Sequence, residues 1–499
     1  MRVLQLFLVL FLLPMAGHAK WFESSSDHFV VYADDREKNV RRFSQQLEQY
    51  HKALTILTQL SPFKPSPSNR VTVFVVKNKS QVKKLFGDGG RAVAGFYVPR
   101  ASGSIAIVSR VKTNSISMNM LLHEYVHHFM ISNSEIASPK WVTEGGAEFF
   151  SAAKFERDGS LTLGLPATHR FLGLSIGSKI TVKELLDPQT FGSLSSRGLD
   201  SFYGRSWLLY HYLNFSKSRK GQLNEYQHQI SLGQNSLAAG KAAFGDFGKL
   251  DRELRSYLKS RKLTGLSIRK EALTIGNVAV RQLREGEAKM MDVRMRSRRG
   301  VNPAGALELV VKARKIADRY PDDPSVQSAL AEAEFIAGND AAAIIASNLA
   351  LAKDDKDVNA YVQKGYALFR QAREAKDKAT AYKKAIAPFL ALNKIENDHP
   401  LPLMYNHIRF VAQKKAPSRN AIEGLERALE LAPFDRGLRF RVALQQIKDR
   451  RYDWAERNLS ALAFDPHGGK LSVASQEVLK RLRGEKNVDP SELIKILKE

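Results

Sequence analysis

The chain has 499 residues, 77 Lys+Arg against 51 Asp+Glu for a formal net charge of +26, and 43% hydrophobic residues. At roughly 150 residues per domain this is room for two to four ordinary globular domains. There is no Cys, which excludes disulfides, cysteine nucleophiles, Cys-bound iron–sulfur clusters and thiolate zinc sites, so any metal site must be built from His and carboxylate.

The first element is an export leader. Arg2 provides a positive start, Val3 to Leu13 is an apolar run broken by Pro14, and Gly17-His18-Ala19 supplies small residues for cleavage after Ala19. The run is shorter than the roughly 18 residues that span a bilayer. The expected product is a soluble exported protein, periplasmic or secreted, and without Cys it is no lipoprotein. Of the +26, +20 lies before residue 301. Export separates the protein from the chromosome, so this charge implies a solvated basic surface or an anionic envelope polymer as partner, and no nucleic acid.

Residues 20–265 alternate short strands with helices. Phe29–Tyr32 and Arg70–Val76 read as strands around a long helix, Glu37–Leu60, whose Leu47, Tyr50, Leu54 and Leu57 recur at helical spacing. A loop at Gly87–Gly90 leads into strands Ala94–Val98 and Ser104–Val108 at hairpin distance. Helices are predicted at Met118–Ser132, Lys140–Lys154 and Phe202–Phe215. Strands early and helices late make an α+β plan. Residues 266–300 read as a β-rich linker segment through Ile268, Leu273–Val280 and Met291–Ser297. A strand there would set Arg294, Arg296 and Arg298 on one face, as an anion-binding stripe or a solvated surface.

From 301 to 499 the pattern is all-helical and repeats. Loop markers at Tyr320-Pro321, Asp354-Asp355, Asn397-Asp398, Ala432-Pro433 and Asp465-Pro466 recur near every 34 residues, with one longer step. That period matches a tetratricopeptide unit. The segment Ala421–Pro433, with Ala421, Leu425, Ala428 and Pro433, resembles the second helix of such a repeat; Ala360-Tyr361 and Gly365-Tyr366-Ala367 resemble the first. The resemblance implies a solenoid that docks a protein partner.

The chemistry concentrates at His123-Glu124-Tyr125-Val126-His127. Four residues apart on a helix, His123 and His127 project from one face one turn apart and can share a metal ion, while Glu124 can reach a water on that ion without ligating it. His128 points elsewhere and has no role beyond packing or solvent contact. Downstream lies Trp141-Val142-Thr143-Glu144-Gly145-Gly146-Ala147-Glu148. Together these residues resemble the gluzincin zinc metallopeptidases, which include the thermolysin and aminopeptidase N relatives and the peptidase-MA-like group. The resemblance covers residues 25–260. It implies a zincin-like domain holding Zn2+ by His123, His127 and Glu144, with Glu124 as general base and Glu148 orienting a zinc histidine from behind.

Sixteen residues separate His127 from Glu144, slightly fewer than in aminopeptidase N relatives, which leaves Glu148 as the alternative third ligand. The family also places a Tyr or His donor at the developing oxyanion. Tyr203 is the candidate, with Tyr210 and His211 as alternatives. Ser104–Val108 stands where zincins place an edge strand that pairs with the substrate backbone, or it is an ordinary internal strand.

The reading is therefore an exported zinc metallopeptidase cutting an envelope or extracellular polypeptide, with residues 1–19 as signal peptide, 20–265 as catalytic domain and 301–499 as docking repeats. The rival is an exported tetratricopeptide scaffold with a structural or inactive zinc site. No terminal-amine motif of the G-x-M-E-N kind separates endo- from exopeptidase. No phosphate loop, dinucleotide fingerprint or nucleophile elbow is present.

Overall fold

The computed structural model describes residues 20–60, 64–87, 95–110, 112–133, 137–175, 180–260, 263–465, 469–484 and 488–498. The leader and part of the Gly87–Gly90 loop lie outside them. No described helix is long and apolar enough to cross a membrane.

Six strands form the main sheet: β1 (Trp21–Ser25), β2 (Phe29–Asp34), β3 (Val71–Val76), β4 (Gly95–Val98), β5 (Ile105–Ser109) and β9 (Ala279–Gln282), in the order β4-β5-β3-β2-β1-β9. β2, β3 and β5 run parallel, and the outer strands pair antiparallel. The parallel centre is covered on both faces, which is why β3 and β5 read as near-continuous apolar runs. A small second sheet joins β6 (Lys154–Phe155), β7 (Leu161–Leu163) and β8 (Leu266–Ile268).

On one face of the main sheet pack α1 (Glu37–Thr58) and α3 (Ile116–Asn133); α2 (Lys79–Phe86) lies on the other. Behind α3 come α4 (Lys140–Ser151), α5 (Phe171–Ser175), α6 (Val182–Leu186), α7 (Ser196–Phe215), α8 (Gln222–Ser231), α9 (Ser236–Phe244) and α10 (Phe247–Lys259). One continuous core runs from Val31, Val73 and Leu47 through Leu122 and Val126 to Trp141, Trp207 and Leu250.

The sequence expectations for residues 266–300 fail here. Met291–Ser297 is no strand but part of α11 (Glu285–Arg299), and its arginines form no common stripe. Arg294 stacks over Tyr32, whereas Arg298 pairs with Glu332 at 3.3 Å. The helix is enclosed on two sides: Met291 and Met295 pack on the sheet with Tyr32 and Phe74, while Met290 and Val293 pack on the repeats with Leu309 and Val326. Two apolar faces erase the one-sided helical period and leave an apparent alternation. Segment 266–300 is accordingly not a linker, since β8 and β9 complete the two sheets; within Leu273–Val280 only the last two residues enter a strand. Of the two readings of Ser104–Val108 the internal strand holds: β5 lies between β3 and β4, so the edge strand beside α3 is β4.

The remaining helices are α12 (Pro303–Ala317), α13 (Pro324–Ile336), α14 (Asp340–Lys353), α15 (Val358–Glu374), α16 (Lys378–Ala385), α17 (Ala387–Ile395), α18 (Pro400–Ala412), α19 (Arg419–Leu431), α20 (Arg436–Lys448), α21 (Tyr452–Ala463), α22 (Gly469–Gly484) and α23 (Pro490–Lys498). They stack as an array of helix repeats, and the loop markers fall between helices, except that Pro466 lies outside the described residues. Ala421, Leu425 and Ala428 are fully buried on α19. A Cβ at Gly365 would lie 2.5 Å from the Phe389 ring, so only glycine lets α15 approach α17 this closely.

The array is clamped to the sheet unit. Glu396 accepts hydrogen bonds from the Ser68 amide (3.0 Å) and hydroxyl (2.8 Å). Asp435, the N-cap of α20, also accepts from the Ala101 amide at 2.7 Å. The Asn69 amide side chain donates to the Leu431 carbonyl at 2.9 Å.

Candidate metal centre

α3 is apolar nearly all round because it is sandwiched between the sheet and α4, with Leu121, Leu122, Val126 and Phe129 buried. α4 starts after Pro139 and packs on α7 through two small residues, Gly145 and Gly146. The crossing of α3 and α4 brings Glu144 beneath the two histidines.

The Nε2 atoms of His123 and His127 lie 3.2 Å apart, and Glu144 Oε2 lies 3.3 Å from the first and 3.4 Å from the second. These three residues are the cluster among the described residues able to hold a metal ion. A tetrahedral ion about 2.0–2.1 Å from each donor spaces its ligands about 3.3–3.4 Å apart, so the triangle has the dimensions of one face of such a shell. Glu144 is completely buried, and its ion-pair partners among the described residues are these two histidines. A buried carboxylate costs stability unless cationic partners claim it. Burial alone would raise its pKa, but His127 and His123 hold it well below the usual carboxylate range. Two imidazole nitrogens and one carboxylate oxygen are a donor set that fits Zn2+.

Glu148 occupies a different place. Its Oε1 lies 3.4 Å from Nδ1 of His123, on the far side of the ring from the triangle. Arg170 donates two hydrogen bonds to Oε1, at 2.7 and 3.0 Å, and His169 Nε2 lies 2.8 Å from Oε2. Asp200 in turn accepts from Arg170 at 2.8 Å. Burial would raise Glu148, but His169, His123 and Arg170 bring it down to about 2. An ionised Glu148 draws the His123 proton to Nδ1 and leaves Nε2 as the free donor. Sequence reading missed His169 and Arg170; the signal that points to them is the demand of a buried Glu148 for cationic partners.

Glu124 is half-buried next to His123 on α3, and its charge acts on His123, Tyr203 and Tyr97. Tyr203 on α7 lies with its ring 6.4 Å from that of His123 and 4.8 Å from the Arg170 guanidinium. Burial and the nearby Glu144 raise its pKa, so its hydroxyl keeps a proton to donate. His211 belongs to the core instead: fully buried, it meets the Thr264 carbonyl and the Tyr257 hydroxyl. Tyr210 packs on Phe149 and over Gly146. His128 has a definite partner, the Tyr97 hydroxyl at 2.6 Å, and its ring lies 4.6 Å from Phe434 of the repeats.

A cavity of about 590 Å³ opens beside the triad, between α3 and α4 on one side and α19–α21 on the other, with His127, Met130 and Phe434 in its walls.

No family model matches the chain, and no match is found among curated proteins. Among solved structures the chain is similar to a thermophilic tetratricopeptide-repeat protein of Thermus thermophilus, at 16% identity and a TM-score of 0.31, over 34% of this chain and 89% of that one.

Proposed function

We propose that this protein is an exported zinc metallopeptidase of the gluzincin type, with His123, His127 and Glu144 as ligands. The observation that carries the reading is the triangle of His123, His127 and the fully buried Glu144, whose donor atoms lie together. Bound there, zinc would supply Lewis acidity, polarising a peptide carbonyl and acidifying a water toward neutral pH. Glu124 takes the proton of the attacking water and passes it to the leaving amine. Tyr203 donates its hydroxyl proton in a hydrogen bond to the developing oxyanion. Glu148, held by Arg170 and His169, keeps His123 in the tautomer that turns Nε2 toward the site. The leader-like segment at residues 1–19 supports export to the periplasm.

The test is elemental mass spectrometry of the full chain beside His127→Ala, Glu144→Ala and Glu124→Gln, with hydrolysis followed on a mixed peptide substrate. About one zinc per chain is expected, lost in the first two variants and kept in the third, which loses hydrolysis. A folded wild type that takes up no zinc refutes the reading.

A second reading, an exported helical-repeat scaffold, is favoured by the extent of the array, which occupies the chain from α12 to α23 and is of a kind that commonly binds proteins. It predicts that Glu124→Gln keeps metal, fold and biological effect.

A further inference from the structure

The repeats build one wall of the cavity that His127 of the triad lines, and that wall carries a surplus of cations. Three carboxylates stand on it, and each is already engaged: Glu426 by Arg451 at 2.6 Å, Asp465 by Arg436 at 3.3 Å and Glu430 by Arg427 at 2.9 Å. Two lining arginines remain without a carboxylate partner among the described residues, Arg439 on α20 and Arg457 on α21. Arg439 is mostly enclosed and, among the described residues, donates to neutral oxygens, Asn458 Oδ1 at 3.0 Å and the Pro433 carbonyl at 2.7 Å. Burial lowers its pKa to about 10, against the opposing pull of Asp465. A guanidinium has five N–H donors in a fork that suits a carboxylate, and a desolvated one gains most from an anion. Arg457 lies over the ring of Trp454, which is 52% exposed, and Arg451 lies over the same ring. The same cavity is lined by the apolar side chains of Val126 and Met130 from α3, Leu429 from α19 and Phe434.

We propose that this cleft is the substrate channel and that the repeats set its specificity, seating an acidic polypeptide segment whose side-chain carboxylates meet Arg439 and Arg457 while its apolar residues lie against Phe434 and Trp454. The volume lies within the range of about 300–1,000 Å³ usual for ligand sites. Two cations on two helices call for more negative charge than the single carboxylate of a chain terminus, so the segment is internal. The net charge of +26 steers the same partner toward the protein. Arg439 and Arg457 are thus specificity residues for the reaction. The proposal rests on the peptidase reading for the direction of the channel, but its test measures binding.

The probe is a short capped and amidated peptide of leucine, alanine and glutamate, compared by calorimetry with its glutamine counterpart on the full-length zinc-loaded Glu124→Gln protein. The glutamate peptide is expected to bind about tenfold more tightly or better, with a preference that shrinks as salt is raised. Arg439→Gln should bring the preference close to unity, and Arg457→Gln, at an exposed position that does not threaten folding, should reduce it several-fold. Equal binding of the two peptides, or a preference that survives both substitutions, overturns the proposal. Binding only of a glutamine peptide with a free C-terminus also overturns it, by assigning the cations to a chain end. Zinc content on the same samples separates the two readings: one zinc per chain without glutamate preference sinks this inference and leaves the peptidase standing.

Discussion

The contact between α4 and α7 gives a sharp test of how Glu144 is held. A Cβ at Gly145 would lie 2.6 Å from the Ser206 carbonyl oxygen and 2.9 Å from its carbon. A relaxed carbon–oxygen contact is about 3.3 Å or longer, so Gly145→Ala requires α4 and α7 to separate by about 0.7 Å. Backbone atoms cannot rotate out of the way as a side chain does, and overpacking of this kind costs about 1–3 kcal/mol. At about 2 kcal/mol the thermal midpoint should fall by about 5 °C. Glu144 precedes this glycine directly, and its displacement exceeds the roughly 0.2 Å tolerance of a zinc ligand. Zinc affinity must therefore fall together with stability. Gly146→Ala is the control, because its Cβ would meet only the Tyr210 ring at 3.4 Å, an ordinary contact. Thermal melts and a chelator-competition titration of both variants provide the assay. A Gly145→Ala protein with the midpoint and zinc affinity of Gly146→Ala would falsify the account of how α4 is positioned.

Two further outcomes follow from the buried ionisable groups. Glu148→Gln should keep one zinc per chain at saturating metal but bind it about 10–100-fold more weakly, as expected of a residue that orients a ligand; stoichiometric loss would instead make Glu148 a ligand. His51 is buried against His28 and bonded to the Tyr125 hydroxyl at 2.7 Å; burial first, then the charge of His28, lowers its pKa from 6.5 to about 3. The unfolded chain binds the extra proton between those values, so the stability present above pH 6.5 is lost as pH falls toward 3, by about 2 kcal/mol at pH 5. Denaturant titrations at pH 8 and pH 5 should show His51→Gln losing less than wild type by about that amount; equal losses would show that His51 charges without penalty.

The meeting of His123 and His127 was legible because both lie close in sequence on one helix: a four-residue spacing puts them on one face wherever the helix goes. The choice between Glu144 and Glu148 was not, since both share one face of α4, and only the placement of α4 relative to α3 turns one toward Nε2 and the other toward Nδ1 of His123. Helix ends in the repeats were readable from Pro and Asp markers that cap and stop helices. α11 was misread because burial on two sides left Val293, Met295 and Ser297 inside with Arg294, Arg296 and Arg298 between them, a pattern that mimics a strand. The interior position of β5 depends on β4 pairing outside it, a long-range choice that local alternation does not encode. The cavity wall in the repeats, drawn from residues some three hundred positions beyond His127, has no local signature at all.

The pairing of β1 with β9 sets a timetable for assembly. Phe22 aligns with Gln282, and Ser25 with Ala279, so the first strand of the sheet must wait until more than half the chain exists before its outer edge is covered. Until then β1 presents a bare row of amides and carbonyls open to the wrong partner. A fragment ending near residue 265 would keep His123, His127 and Glu144 and still carry that open edge. A fragment that both pairs β9 and keeps the packing of Met291 and Met295 on the sheet ends after α11, and because Met290 and Val293 then lack the repeats they pack on, even that fragment trades one exposed surface for another.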